Sequence, residues 1–335
     1  MKERELIELI NAMVGNRTPG VLCGIGDDCA VIEKTGDTAW LLTMDTLIEG
    51  SHFKVSHHPP FELGKKSVSV NVSDIAAMGG EPRFVLLSVG LPSDIAQSWS
   101  SRFIEGVIES CKEYGCLLIG GDTVRSELGI SLTLTLIGEV KTTDVVYREG
   151  AVAGDHIWVS GPLGLSAAGL ELCMRGLENE LGEGVDSVLS AHLDPQARFI
   201  LGPALANRRL VSAMMDISDG LATDLAHLCK RSSVGAVVEE KSLYRHPSLI
   251  HITDRLHLDP VRLMLSGGED YELLFTALPK YKESILQLAK KYGLCVQHVG
   301  VIVEGSGVCL HTESFDGEGP GQLDISYQGF DHFAN

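Results

Sequence analysis

The chain has 335 residues, of which 44% are hydrophobic and 21% are charged, and its formal net charge is −18. This length suggests two domains and leaves enough apolar residues for a substantial core. The acidic balance argues against binding to nucleic acid or to an anionic membrane surface, so an anionic ligand such as a nucleotide would need cations between itself and the protein.

The N-terminus gives no sign of a secretion signal. Residues 1–15, MKERELIELINAMVG, begin with charges and then place apolar residues at helical spacing, which predicts an amphipathic helix. No apolar run of the sequence has the length needed to cross a bilayer. The eight cysteines form no CxxC pair and lie mostly among apolar neighbours. We therefore expect a cytoplasmic protein with reduced thiols.

The first half of the chain alternates strand and helix patterns, which predicts an α/β unit. The predicted strands are 39–44, 83–89, 116–121 and 130–140, and the predicted helix is 93–115. This helix would begin at Ser93 or Asp94 and end at Gly115. Residues 65–80, KKSVSVNVSDIAAMGG, alternate polar and β-branched residues like a strand but end like a helix. The pattern alone splits this segment and puts Asp74 in its helical part.

A polar, glycine-bearing stretch at 141–155 is the predicted boundary between two domains, 1–145 and 146–335. The alternation then resumes. The predicted strands are 156–161, one within 208–218, 272–278 and 295–303, and the predicted helices are 165–176, 220–231 and 280–293. The turn VSGPLGLSAAGL at 159–170 could offer N–H groups to a phosphate, or it could be only a tight turn beside a close-packed helix.

Aspartates recur at turns and at the predicted strand ends. The set is Asp27 and Asp28 in GIGDDCAVI, Asp45 in LLTMDT, Asp74 in NVSDIAAMGG, Asp122 in LLIGGDT, and Asp216 and Asp219 in AMMDISDG. Carboxylates at the ends of buried strands gather in one crevice of an α/β sheet. Five or six of them could not all ionise without partners. Hard divalent cations, which prefer oxygen ligands, would resolve the repulsion.

Each of these aspartates except Asp216 also has a plainer interpretation. Asp219 alone is best read as a helix N-cap. Asp45, Asp122 and the Asp27–Asp28 pair could be turn residues, and Asp74 could face water. Their repeated placement favours the metal site when they are taken together.

Seven stretches resemble the thiamine-monophosphate kinase family: GIGDDCAVI, MDTLIEGSHF, NVSDIAAMGGEP, IGGDT, DISDGLATDL, SGGEDYELLF and GFDHF. They extend from residue 24 to 333. The family belongs to an ATP-binding superfamily related to aminoimidazole ribonucleotide synthetase. The resemblance therefore implies that two-domain fold, with an N-terminal α/β domain and a C-terminal α+β domain. It also implies a helix for 65–80 and a homodimer that pairs through its N-terminal domains, with nucleotide near the interface.

The resemblance implies transfer of the γ-phosphoryl group of ATP to thiamine monophosphate, which gives thiamine diphosphate and ADP. It implies several Mg²⁺ ions on Asp28, Thr43, Met44, Asp45, Asp74, Asp122, Asp216 and Asp219. The implied nucleotide contacts are Gly121, Asp122, Arg148 and Ser218, and the implied acceptor contacts are His52, Glu269 and Phe330. Asp45, Asp122 and Arg148 would be catalytic. Where many relatives have a second hydroxyl residue, this chain has Met44, so only its backbone carbonyl could contact a metal.

The acceptor side chains have structural alternatives. His52 would hydrogen-bond the acceptor phosphate or be a buried structural histidine. Phe330 would stack on the thiazolium cation or only anchor the chain end. Glu269 would complement that cation or the aminopyrimidine, or be a turn acid before a strand. Arg148 would add a fixed positive charge or be a surface arginine.

The expected chemistry needs alignment and charge neutralisation more than a base. The acceptor is a phosphate monoester, whose second pKa near about 6 leaves it anionic at neutral pH. Two rivals stay open on the sequence. One is another ATP-dependent enzyme of the superfamily, such as an imidazole ribonucleotide synthetase or a maturation factor. The other is a non-catalytic module that binds Mg²⁺ and nucleotide.

Overall fold

The computed structural model describes residues 3–14, 19–178, 182–312 and 321–329. The helices are α1 (Glu3–Val14), α2 (Pro60–Ala77), α3 (Gln97–Tyr114), α4 (Leu165–Arg175), α5 (Val185–Leu193), α6 (Leu201–Asn207), α7 (Leu221–Ser232), α8 (Pro247–Leu256), α9 (Pro260–Ser266) and α10 (Lys282–Lys291). The strands are β1 (Val21–Cys23), β2 (Ala30–Glu33), β3 (Thr38–Ile48), β4 (Glu81–Leu91), β5 (Leu117–Arg125), β6 (Ser131–Lys141), β7 (His156–Val159), β8 (Ala213–Asp216), β9 (Gly235–Glu239), β10 (Leu273–Ala277), β11 (Gln297–Val303), β12 (Gly307–Thr312) and β13 (Gly321–Asp324).

The first half forms a six-stranded sheet in the order β1-β2-β3-β6-β4-β5. The neighbours pair antiparallel except for β4 and β5, which are parallel. Helices α2 and α3 cover one face of this sheet, and the apolar core of the first half lies between them. The opposite face carries half-buried and exposed side chains, among them Met44, Ile48 and Leu86.

Two of the predicted strand-end aspartates are not at strand ends. Asp45 lies within β3, which continues to Ile48, and Asp122 lies within β5, which continues to Arg125. The sequence pattern misplaced these ends because the polar residues after each apolar run were taken as turns, whereas backbone pairing with β6 and β4 continues through them. Asp216 is the last residue of β8, as predicted.

The ambiguous segment 65–80 is helical as far as Ala77, as the resemblance implied. Some of its small polar residues bond to the backbone of the same helix. The Ser67 hydroxyl donates to the Gly64 carbonyl at 2.8 Å, and the Asn71 amide donates to the Ser67 carbonyl at 3.2 Å. Such local bonds let small polar residues alternate with valines in a buried helix without exposing polar atoms. The strand-like alternation was therefore misleading.

The helix predicted at 93–115 ends at Gly115, which adopts the left-handed conformation typical of a helix C-cap. It begins later than predicted. The N-cap is Ala96, so neither Ser93 nor Asp94 caps the helix.

The second half forms a seven-stranded sheet in the order β13-β12-β9-β11-β7-β10-β8. Its main core includes helices α4, α7, α8 and α9, and a smaller cluster includes residues of α6 and α10. Residues 141–155, the predicted boundary, contain the end of β6, a single 3-10 turn at Thr142–Asp144 and no further helix or strand. The bounds 1–145 and 146–335 stay a prediction.

The two halves are closely packed through α2. A side chain at Gly202 in α6 would lie 2.0 Å from the carbonyl oxygen of Ala76 in α2, so this contact requires a glycine. Helix α2 therefore lies between the first sheet and the second half. This central position allows it to carry residues of a site formed by both halves.

The predicted N-terminal helix is present as α1, with Ile7, Leu9 and Met13 exposed. All eight cysteines lie within the described ranges and are free thiols. Among the described residues, no helix combines the length and the apolar character needed to cross a membrane.

Candidate metal and nucleotide site

Three carboxylates from distant parts of the chain converge between the two halves. Asp28 comes from the loop before β2, Asp74 from α2, and Asp216 from the end of β8. One oxygen of each lies within 4.8 Å of the others. Asp28 and Asp216 are buried, and Asp74 is partly buried. We call this cluster the acid triad.

Each member of the triad has one fixed partner. The Thr43 hydroxyl of β3 donates to Asp74. The Ser73 hydroxyl donates to Asp216 at 2.6 Å. The Arg148 guanidinium donates to Oδ1 of Asp28, with its Nε at 3.1 Å. These bonds orient the carboxylates, because a charged acceptor and a fixed donor form a strong, directional pair.

Burial dominates the electrostatics of the triad. Burial, and then the charge of Asp28, raise the pKa of Asp216 to about 7, against the hydrogen bond from Ser73. Burial raises the pKa of Asp74 well above its ordinary value, with the charges of Asp45 and Asp216 adding to the effect. The pKa of Asp28 is also raised by burial, against the opposing charge of Arg148. Without a cation, burial and mutual repulsion therefore disfavour the ionised forms of these carboxylates.

The donor set fits a hard divalent cation. The second oxygen of Asp28, Oδ2, is buried and has no hydrogen-bond partner. An unpartnered buried carboxylate oxygen beside two further carboxylates is a costly arrangement that a cation would relieve. Asp45 adds a fourth acid nearby, since its charge acts on Asp74, and burial raises its own pKa to about 6.

Arg148 and Asp27 fix the edge of the site where the two halves meet. The backbone N–H of Arg148 donates to the Asp27 carboxylate at 3.2 Å. The Ser232 hydroxyl at the end of α7 donates to the Arg148 carbonyl at 3.2 Å. Burial, and then the charge of Asp28, raise the pKa of Asp27 to about 7. Arg148 is therefore not a free surface arginine.

The loop after β8 brings Ser218 and Asp219 close behind Asp216. Asp219 is not an N-cap, because the N-cap of α7 is Gly220. Asp224 instead accepts from the backbone N–H groups of Asp219 and Gly220, both at 3.1 Å. The plain helix-cap interpretation of Asp219 is thus wrong, and the residue that fixes this loop is one that the sequence did not single out.

Glu269 lies at a buried polar cluster between α2 and the second half. Its carboxylate accepts from Lys66 Nζ at 3.0 Å and lies 3.4 Å from Nδ1 of His192. Burial would raise the pKa of Glu269, but the charge of Lys66 and the hydrogen bond from His192 hold it well below its ordinary value. Glu269 is ionised at neutral pH for this reason.

His52 lies in the turn after β3, where its Nδ1 accepts from the backbone N–H of Ile48 at 3.0 Å. It is partly buried. This bond fixes which ring nitrogen faces away from the turn.

The glycine-rich turn before α4 does not offer a phosphate site. The Asp270 carboxylate occupies it and accepts from the N–H groups of Gly164 at 2.8 Å and Ser166 at 3.4 Å. The tight-turn interpretation of 159–170 is the right one, because an internal carboxylate already satisfies the start of this helix.

Gly121 and Asp122 lie at a distance from the acid triad of the same chain. Pairing places Asp45, Leu134, Leu87 and Gly121 in one row across β3, β6, β4 and β5. Three strand spacings separate Asp45 from Gly121, which is about 14 Å. A side chain at Gly121 would lie 1.8 Å from the Leu87 carbonyl oxygen, so β4 and β5 require glycine there. Asp122 is exposed on the edge strand.

Met44 lies on the opposite face of β3 from Thr43 and Asp45. Its side chain is 65% exposed, whereas Thr43 is buried. The alternation of a strand accounts for this difference. The side chain of Met44 is therefore not directed at the acid triad.

Phe330 lies outside the described residues. Its predecessor, Gly329, is described and donates its N–H to the Thr223 hydroxyl of α7 at 2.7 Å. The chain approaches the loop at Asp219 here, because a side chain at Gly329 would lie 2.1 Å from the Asp219 carbonyl oxygen.

The sequence did not identify several residues that organise the site. Ser73 stands next to Asp74 in the sequence, and this adjacency was the one available signal for its role. Lys66 and His192 lacked a local pattern, since each acquires its role from a partner more than seventy positions away.

Two family models match the chain. The model for AIR synthase related protein, N-terminal domain, matches residues 26–140, and the corresponding C-terminal domain matches 152–312. Thiamine-monophosphate kinase from Haemophilus influenzae is 37% identical over 317 residues, which cover 93% of this chain and 92% of the relative. The enzyme of that name from Aquifex aeolicus is 38% identical, with 90% and 94% covered.

The fold also matches solved structures. A structure of AaThiL complexed with AMPPCP and TMP aligns with a TM-score of 0.86 at 35% identity, covering 99% of this chain and 97% of that one. The expected two-domain fold related to aminoimidazole ribonucleotide synthetase is thereby confirmed. The matches over nearly the whole length do not favour the two rival interpretations. The chain belongs to the AIR synthase related family and, within it, to the thiamine-monophosphate kinases.

Proposed function

We propose that this protein transfers the γ-phosphoryl group of ATP to thiamine monophosphate, giving thiamine diphosphate and ADP. The observation that carries the proposal is the convergence of Asp28, Asp74 and Asp216 at the junction of the two halves. Support comes from relatives that are thiamine-monophosphate kinases and from the solved relative that holds an ATP analogue together with TMP.

Mg²⁺ is the proposed metal, and the acid triad with Thr43, Asp45 and Asp219 would hold it. The backbone carbonyl of Met44 is a further proposed ligand. When bound, Mg²⁺ neutralises charge on the phosphate oxygens and orients the transferring group. Arg148 adds a fixed positive charge beside Asp28. Asp45, Asp122 and Arg148 are the proposed catalytic residues.

ATP is a polyanion, the acceptor carries an anionic phosphate, and the site is built of acids, so repulsion is the main obstacle to the reaction. No general base is needed, because the acceptor phosphate is already anionic. Ser218 and Arg148 are proposed to contact the nucleotide. His52 and Glu269 are proposed to contact the acceptor, the first at its phosphate and the second at its cationic part. Phe330 is proposed to stack on the thiazolium ring.

A homodimer completes the proposed site. The outer face of the first sheet exposes Met44 and Ile48, and its edge strand β5 exposes Leu117 and Ile119. An apolar face that ends in an edge strand is suited to pairing with a second copy. Gly121 and Asp122 lie on that edge strand, so we propose that each chain offers them to the nucleotide and metal of its partner. This accounts for their distance from the acid triad of their own chain.

The proposal also includes the division into domains 1–145 and 146–335 and a cytoplasmic location. Eight free thiols suit a reducing compartment.

The test is a product assay with ATP, Mg²⁺ and alternative acceptors. Thiamine monophosphate, unphosphorylated thiamine and aminoimidazole-type precursors are offered separately, and products are separated by chromatography. We expect thiamine diphosphate and ADP in equal amounts, and only from thiamine monophosphate. Hydrolysis of ATP without a phosphorylated acceptor, or turnover of another acceptor alone, would refute the assignment.

A further inference from the structure

Lys66 is a fully buried cation on α2, with 1% of its side chain exposed. Its ammonium group donates to Glu269 at 3.0 Å and to the carbonyl oxygen of His192 at 3.0 Å. The Glu269 side chain is 25% exposed, so the ammonium group of this ion pair is buried and the carboxylate is partly accessible to solvent. Burying a lysine is unfavourable unless it is paired, which makes this arrangement hard to explain as packing alone.

Glu269 is held from three directions. Lys66 and His192 engage its carboxylate, and its backbone N–H donates to the Ser218 carbonyl at 2.7 Å. Its φ of 64° is in the left-handed region, which a non-glycine residue adopts only under constraint. The segment is thus tied to the loop that directly follows Asp216.

The same face of α2 fixes both carboxylates. Lys66 and Ser73 are seven residues apart, which is about two helical turns and places them on one face at a spacing of about 10 Å along the axis. Lys66 binds Glu269, and Ser73 binds Asp216. Because both partners belong to the second half, α2 sets the separation of a triad carboxylate from the Glu269 carboxylate.

We infer that Lys66 is a positioning residue, which keeps Glu269 ionised and aimed at the cationic part of the acceptor at a distance from the acid triad that helix α2 fixes. The inference rests on the proposed function. It extends that function by a residue that would act through Glu269 without contacting the acceptor. Loss of Lys66 would leave Glu269 in place but free to protonate or turn away.

The test compares Lys66→Met with Lys65→Met in steady-state assays that vary each substrate. Lys65 is the matched control, since it is the adjacent lysine on α2 and pairs with Asp194 at 2.5 Å. We expect Lys66→Met to raise KM for thiamine monophosphate by roughly tenfold, with KM for ATP changed by less than about twofold. Lys65→Met should change neither. Equal increases for both substrates would overturn the inference, because general distortion would then explain them.

A double variant separates positioning from packing. Lys66→Met and Glu269→Gln are measured singly and together. If Lys66 acts through Glu269, adding Lys66→Met to Glu269→Gln should change KM for thiamine monophosphate by less than about twofold. If the two substitutions instead raise KM for thiamine monophosphate by factors that multiply in the double variant, the inference is contradicted.

If Lys66→Met does not accumulate as a folded protein, the double variant still carries the test, since it leaves no buried charge without a partner. A Glu269→Gln variant with unchanged KM would then refute the inference. Absence of turnover in the wild-type protein would instead refute the proposed function, so the two failures are distinguishable.

Discussion

The hydroxyl of Ser73 donates a 2.6 Å hydrogen bond to Asp216 and so joins helix α2 of the first half to strand β8 of the second. Both residues are buried. Ser73 is adjacent to Asp74 in the sequence. One turn of α2 therefore supplies one triad carboxylate, that of Asp74, and orients a second, that of Asp216. The acid triad is therefore a product of the contact between the halves.

Removing this hydroxyl should impair the site selectively. Ser73→Ala leaves the Asp216 carboxylate without its donor, which costs about 1–3 kcal/mol when a buried polar group loses its partner. We expect a fall in kcat of about tenfold or more. Ser67→Ala is the control, because the Ser67 hydroxyl is buried on the same helix but bonds only to the helix backbone at Gly64. Similar losses of kcat in both variants would argue against a special role for Ser73.

Mg²⁺ should stabilise the protein through the triad. A ligand that binds only the folded state at about 100 times its Kd adds about 2.7 kcal/mol to the free energy of unfolding. We expect a clear increase in Tm on adding Mg²⁺ to the wild type, and little increase for Asp74→Asn. Asp94→Asn, at an exposed position before α3, should respond like the wild type. An undiminished Mg²⁺ response in Asp74→Asn would place the metal elsewhere.

The ion pair at Glu269 predicts a pH dependence of stability. Burial tends to raise the pKa of this carboxyl, but Lys66 and His192 hold it well below its ordinary value of 4.5. Since the folded pKa is depressed, the stabilisation is present above pH 4.5 and is lost as the pH falls through the folded value. The difference in unfolding free energy between wild type and Glu269→Gln should thus be constant at about pH 6 to 8 and should shrink below about pH 4. Urea unfolding at several pH values measures it, and a gap that widens on acidification would contradict the assignment.

Complementation between subunits should reveal the proposed role of Asp122. Asp122→Asn and Asp74→Asn should each reduce activity at least about a hundredfold, because each removes a proposed metal ligand. Mixed after reversible dissociation, the two variants should recover about a quarter of wild-type activity, since half the dimers are mixed and each has one complete site. No recovery, with mixed dimers demonstrated, would show that Asp122 does not serve the partner's site.

The sequence predicted most elements of the fold because their patterns are local. Gly115 ends α3 by its own left-handed conformation, and the apolar run before Asp216 is a buried strand. Helix α2 was harder to predict, because its serines alternate with valines as in a strand. The structure shows that a serine hydroxyl here, that of Ser67, bonds to the helix backbone instead. Asp45 and Asp122 were placed at strand ends because the pairing that extends β3 and β5 is not visible in the sequence.

The candidate site was also predictable only in part, because its acids follow local patterns whereas their partners do not. Aspartates at a turn, at strand ends and in a helical segment suggested a metal cluster, and Asp28, Asp74 and Asp216 lie with one oxygen each within 4.8 Å of one another. What holds them could not be predicted, because Ser73, Lys66 and Asp224 are ordinary helix residues whose function depends on partners from elsewhere in the chain. Asp122 differs again, since it is exposed on an edge strand and its proposed role depends on a partner subunit.

The most direct measurement is the anomalous diffraction of crystals grown with Mn²⁺ in place of Mg²⁺ and an ATP analogue. Mn²⁺ prefers the same oxygen ligands and can be located from its own signal. The account predicts an anomalous peak bonded to carboxylate oxygens of Asp28, Asp74 and Asp216, and its loss in Asp216→Asn crystals. A Mn²⁺–nucleotide complex bound with no peak at these three side chains would contradict it.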